Sequence, residues 1–259
     1  DGTARVWNPS AETSAIELHA PPSVLHATFS PDARRIVTSN WDSVQLWNSV
    51  SGTRVSQFTT NDGTARLPAQ PVAMAVFTPV NKRFVAVTGA DPRARICDAG
   101  TGAVLATLVG HADGILHAAV SPDGTMVATA ALDGTVRLWD TATGAPRAVL
   151  HGHTGAVNWV AFSPNGERII TAAADDTARL WDIATALTRV PGMGSGVPLR
   201  LAEYCPDGAC ILTVATDGVA RLYDATTHAL LTRLADRTAI RSVSFSRNGA
   251  RLLTTSDDS

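Results

Sequence analysis

His151-Gly152-His153 sets two imidazoles two residues apart, a spacing that could begin a metal site. No Cys or Glu stands at ligand spacing beside them, and His153 has a structural assignment given below. Asp175-Asp176 and Asp257-Asp258 pair carboxylates that could hold calcium, yet neither continues into the Asp/Gly/Glu pattern of a hand-like loop. Gly192-Met193-Gly194-Ser195-Gly196 has the glycine density of a phosphate loop. It carries no Lys, misses the dinucleotide spacing and precedes a strand instead of a helix, so it reads as a flexible loop. Ser, His and Asp are all present, but no Gly-x-Ser-x-Gly elbow presents a nucleophile. From these residues we expect no catalytic set, no metal and no cofactor.

The elements that would position such residues are repeated ones. Arg137-Leu138-Trp139-Asp140 recurs as Arg179-Leu180-Trp181-Asp182 and as Arg221-Leu222-Tyr223-Asp224, at a period of 42 residues. Weaker copies end at Trp7-Asn8, Trp47-Asn48 and Cys97-Asp98. Self-similarity at this spacing marks a repeat architecture. In one unit, residues 156–162 read as a buried strand, Ser163-Pro164-Asn165-Gly166 as a tight turn, and 168–173 as a second strand. Residues 177–181 make a third strand and 186–190 a weaker fourth. The turn is copied at Ser30-Pro31-Asp32, Ser121-Pro122-Asp123-Gly124, Cys205-Pro206-Asp207-Gly208 and Ser246-Arg247-Asn248-Gly249. A small sheet that is apolar on both faces needs a neighbour on each side, and radial repetition supplies one.

The chain resembles the WD-repeat β-propellers over essentially all its length. In that family a His after Gly, a Ser or Thr of the second strand, a turn Asp and the Trp form a buried hydrogen-bonded set. The resemblance assigns those roles to His111, Thr129, Asp133 and Trp139, and again to His153, Thr171, Asp175 and Trp181. The set decays elsewhere: Ser195 and Asp236 stand at the His position, and the repeats ending at Trp47 and Cys97 lack the His. Softer packing is expected from Val50 to Asp98. The expected fold is all-β, a single propeller of four-stranded antiparallel blades over residues 1–259, six blades in this chain. One blade would be shared between residues 1–19 and 239–258, with the alternative that the chain is part of a seven-bladed or longer array. The longest connection is expected over residues 59–71.

Net charge is −2, so no global field draws the chain to nucleic acid or to an anionic membrane, and neither is expected as a partner. The only Lys is Lys82. Three cysteines make no closed disulfide framework, which points to a reducing compartment and a cytoplasmic location. Cys205 and Cys210 could face each other across a hairpin, but two free thiols are the favoured reading. No apolar run approaches the ~20 residues of a membrane span, and no signal peptide is read.

Propellers of this family typically bind partners on the face around the central channel. Carried over position by position, the resemblance implies a protein- or peptide-docking face at Leu25, Leu116, Asn158, Arg200 and Arg241, where first strands begin. Leu132 and Trp41 fall just before the second-to-third strand turn. Trp and Arg dominate interface hot spots, so Trp41, Arg200 and Arg241 carry the expectation. The implied function is a non-catalytic interaction scaffold. The alternative is a propeller enzyme or small-ligand binder, with acids or histidines of distant repeats converging at the channel mouth.

Overall fold

Runs of five or six Val, Ile, Leu, Ala and Thr residues alternate here with Pro-, Asp-, Asn- and Gly-bearing turns, so sequence neighbours pair as antiparallel hairpins. The computed structural model describes residues 4–7, 15–19, 24, 26–40, 43–59, 73–79, 82–89, 91–185, 193–235, 239–246 and 248–256. Every regular element among them is a strand.

β1 (Ala4–Val6) and β2 (Ile16–Leu18) form a two-stranded sheet. β3 (His26–Phe29), β4 (Arg35–Ser39), β5 (Ser43–Asn48) and β6 (Arg54–Thr59) form a four-stranded one. The next is β7 (Ala73–Phe77), β8 (Arg83–Thr88), β9 (Arg93–Asp98) and β10 (Val104–Val109). Then come β11 (Ile115–Val120), β12 (Met126–Ala131), β13 (Val136–Asp140) and β14 (Pro146–Leu150). β15 (Val157–Phe162), β16 (Arg168–Ala173), β17 (Thr177–Asp182) and β18 (Met193–Gly194) follow. β19 (Leu199–Tyr204), β20 (Cys210–Ala215), β21 (Ala220–Asp224) and β22 (Leu230–Leu234) make the fifth four-stranded sheet. β23 (Ile240–Phe245) and β24 (Leu252–Ser256) end the chain as a second two-stranded sheet. Strand order is sequential in every sheet, as simple up-and-down connection requires.

The chain divides into two compact units, residues 1–127 with 139–146 and residues 128–138 with 147–259. In the first, Val37, Val44, Leu46, Ala75, Phe77, Phe84 and Cys97 form a core between β3–β6 and β7–β10. Softer packing is expected over Val50–Asp98, but Phe84, Val85, Ile96 and Cys97 are all fully buried. The reason is compensation: Cys97 replaces the bulky aromatic, and Phe77 packs edge-on against Phe84 with centroids 5.9 Å apart. Burial pushes the Cys97 thiol up to about 12, against the charge of Arg95. In the second unit Ile170, Leu180, Leu199, Ala202, Ile211 and Tyr223 pack β15–β18 against β19–β22.

Several sequence expectations change at the connections. Residues 186–190, expected as a fourth strand, lie outside the described residues, and Met193–Gly194 supplies that strand by pairing with Ala178 and Thr177. Part of the glycine-rich stretch read as a loop is therefore sheet. The backbone N–H of Cys205 donates to the Cys210 carbonyl at 2.9 Å, and the two side chains form a disulfide. This corrects the reading of two free thiols, because the tight turn brings the pair face to face. Of the expected loop at 59–71, Thr59 closes β6 and the remainder lies outside the described residues.

Candidate functional site

Of the histidines and acids that could do chemistry, His153 and Asp175 hold one another. A carboxylate only accepts, so His153 Nδ1 carries a proton and donates it to Asp175 Oδ2 at 2.8 Å. His153 Nε2 then accepts from the Thr171 hydroxyl at 2.7 Å, and that oxygen accepts from Trp181 Nε1 at 3.0 Å. Thr171 is fully buried and Trp181 nearly so, so the chain of bonds closes inside the sheet. Burial works against the Asp175 charge, but hydrogen bonds from Thr177, His153 and Thr154 outweigh it and hold the carboxyl down at about 2. In the preceding repeat Trp139 and Thr129 are buried, His111 lies 6.5 Å from Trp139 between ring centroids, and Asp133 accepts from Thr135 Oγ1 at 2.7 Å.

Where the His is missing, part of the arrangement survives. Trp47 Nε1 donates to Thr38 Oγ1 at 2.8 Å, and Asn40 Oδ1 stands in for the turn carboxylate, accepting from Ser43 N–H and hydroxyl at 2.8 Å each. Ser195, at the His position of its repeat, spends its hydroxyl on main-chain carbonyls of Asp176 and Val197 instead. Thr213, nearly fully buried, has no partner for its hydroxyl among the described residues, and Tyr223 in the Trp slot has no N–H to offer.

Two roles escape sequence reading. In three signatures the opening arginine reaches back four residues to the turn acid: Arg95 to Asp91 at 3.2 Å, Arg179 to Asp175 at 3.5 Å and Arg221 to Asp217 at 2.7 Å. The Arg221 hydrogen bond is the main reason the Asp217 carboxyl sits below its usual range. The signal was available, because Asp-x-x-x-Arg recurs with every strong signature. The acid that closes each signature caps the next turn. Asp140, for example, accepts from Ala142 N–H at 3.0 Å, Thr143 N–H at 2.9 Å and the Thr143 hydroxyl at 2.8 Å. Backbone N–H groups of Thr227 and Thr226 lower Asp224 in the same way. These acids are structural capping groups.

The docking candidates divide by what is described. Leu25 and Trp41 lie outside the described residues, and so does the side chain of Arg241. Leu116 is half-buried on β11, and Leu132 is exposed after β12. Asn158 sits where the β15–β16 register slips, with Val157 opposite Ala173 but Trp159 opposite Ala172. Arg200 holds the same place between Leu199–Ala215 and Leu201–Val214, and Arg241 between Ile240–Ser256 and Ser242–Thr255. Each is the extra residue of a β-bulge, a device that re-aims a side chain at a strand end. Asn158 uses its amide internally, donating Nδ2–H to the Leu199 carbonyl at 2.7 Å. Arg200 is exposed, beside exposed Thr216 whose N–H donates to the Pro198 carbonyl at 2.8 Å. Among the described residues, no group of three His, Cys, Asp or Glu side chains gathers in a metal-holding arrangement.

Five sequential four-stranded antiparallel sheets, two of them pinned by a Thr–Trp bond, define a repeat protein of propeller-type blades. The family model for the WD domain, G-beta repeat, matches residues 102–140, 144–182 and 229–259. These three matches support a WD-repeat family for the chain. No curated protein matches it. WD40 repeats serve generally as non-catalytic scaffolds for protein interaction.

Proposed function

We propose that this chain is a non-catalytic docking module that receives a protein or peptide on the face around the central channel, centred on the strand ends bearing Leu132, Asn158, Arg200 and Arg241. The observation that carries the reading is the bulge repeated at Asn158, Arg200 and Arg241, which gives three consecutive repeats the same re-aimed position. Arg200 is the described arginine of that row that stands exposed, and arginine is over-represented among interface hot spots. Leu25, Trp41 and Leu116 extend the surface by repeat alignment alone. The test is affinity capture followed by mass spectrometry, with wild type set against a Trp41→Ala/Arg200→Ala/Arg241→Ala variant of equal melting temperature. Partners captured by wild type should be lost from the variant. Undiminished capture overturns the assignment of this face.

A further inference from the structure

The turns at the opposite end of the strands differ from one another in a way the repeat does not require. In four of them the left-handed position is glycine: Gly124, Gly166, Gly208 and Gly249, with φ between 69° and 75°. The β3–β4 turn places Ala33 there at φ 55°, and in the β7–β8 turn Lys82 is left-handed at φ 48°. An L side chain in that region costs about 1–2 kcal/mol, and such strain concentrates at functional positions.

These two turns border one groove of about 330 Å³, wholly within the first compact unit. Pro31, Phe77, Pro79 and Ala99 give it an apolar floor, and Arg34, Arg35, Lys82 and Arg83 supply its charge against the single carboxylate of Asp32. Asp32 is engaged, accepting from the Ser30 hydroxyl at 2.6 Å and from Arg34 N–H at 3.1 Å. Arg83 is anchored on the Thr141 carbonyl. The buried Nε of Arg35 has no partner among the described residues, and neither Arg34 nor Lys82 makes an ion pair among them. The charge is specific to this place. The position held by Arg34 and Lys82 is Thr125, Glu167, Ala209 and Ala250 in the other described turns, and Lys82 is the only Lys in the chain.

We infer that this groove docks an acidic segment of a protein partner, an apolar side chain resting on Phe77 and Pro79 while flanking carboxylates meet Arg34 and Lys82. The apolar floor favours a peptide over a polyanion, and the net charge of −2 gives the molecule no general pull on nucleic acid. This site shares no residue with the proposed channel-face surface.

The experiment is a fluorescent wild-type chain on an array of twelve-residue peptides that combine Leu or Phe with Asp and Glu, beside matched peptides carrying Asn and Gln. The best acidic peptide is then titrated by anisotropy. Loss of the two groove charges in Arg34→Glu/Lys82→Glu should weaken binding by about tenfold or more. Arg34→Gln/Lys82→Gln, a milder change, should fall between. Arg251→Glu, on the corresponding turn of β24, and the Trp41/Arg200/Arg241 variant should leave the affinity unchanged. Equal capture of acidic and amide peptides, full affinity in both groove variants, or tighter binding of a labelled single-stranded oligonucleotide would each overturn the proposal.

Discussion

Thr171 and Thr213 occupy the same place in successive repeats and live in opposite circumstances. Thr171 bridges His153 and Trp181, whereas the Thr213 hydroxyl is buried without a partner among the described residues. Removing a buried bridging hydroxyl strands its partners, and deleting one that bonds nothing is nearly free. Thr171→Val should therefore destabilise by about 2 kcal/mol and Thr213→Val by about 0.5 kcal/mol or less, read by urea unfolding. Tyr223→Trp would give Thr213 the indole donor that Trp181 gives Thr171, and should raise stability by about 1 kcal/mol. Asp175 adds a pH signature. Its carboxyl falls from the ordinary 3.8 to about 2 on folding, so its contribution is complete above pH 4 and disappears as pH drops through 2. Thermal melts of wild type and Asp175→Asn should converge across that window. Parallel curves would mean that the acid is not the group titrating.

At the scale of the element, much of the fold was legible because each turn and strand repeats a local rule. The strands at 157–162, 168–173 and 177–182 lie within a residue of where alternating turn signals place them. What sequence could not show depends on partners across a sheet. The bulges at Asn158 and Arg200 appear only when two strands are laid in register, and a fourth strand as short as Met193–Gly194 has no periodicity to read. The Cys205–Cys210 bond, likewise, follows from turn geometry that spacing alone leaves open. The turn rule itself can be tested where the chain breaks it. Ala33 sits at φ 55° in a glycine position, its N–H bonded to the Ser30 carbonyl at 2.8 Å. Ala33→Gly should stabilise the chain by about 1 kcal/mol, relief of left-handed strain exceeding the entropy glycine adds to the unfolded state. The reverse holds for Gly218, at φ 74° with Ala239 where a Cβ would go. Gly218→Ala should cost several times more than Ala33→Gly gains, as measured by differential scanning calorimetry.

For the whole molecule, the two two-stranded sheets depend on the blades beside them. A two-stranded sheet alone is marginal in water, so each must be held by what it packs against. β1–β2 covers Ile36 and Trp47 with Leu18, Ile16 and Val6, and β23–β24 covers Leu212, Val214 and Ala220 with Ile240 and Val243. Deleting either hairpin uncovers a buried blade face, and each deletion should lower the melting temperature and raise binding of an apolar dye. Trp7 stands at the aromatic position where Trp47, Trp139 and Trp181 are buried, yet it is 68% exposed, and Leu253 of β24 is 67% exposed. Trp7→Ala should therefore cost about 0.5 kcal/mol or less in urea unfolding, while Trp47→Ala, which strips out a buried aromatic, should cost about 3 kcal/mol or more. Equal losses would mean that Trp7 is packed in solution as Trp47 is.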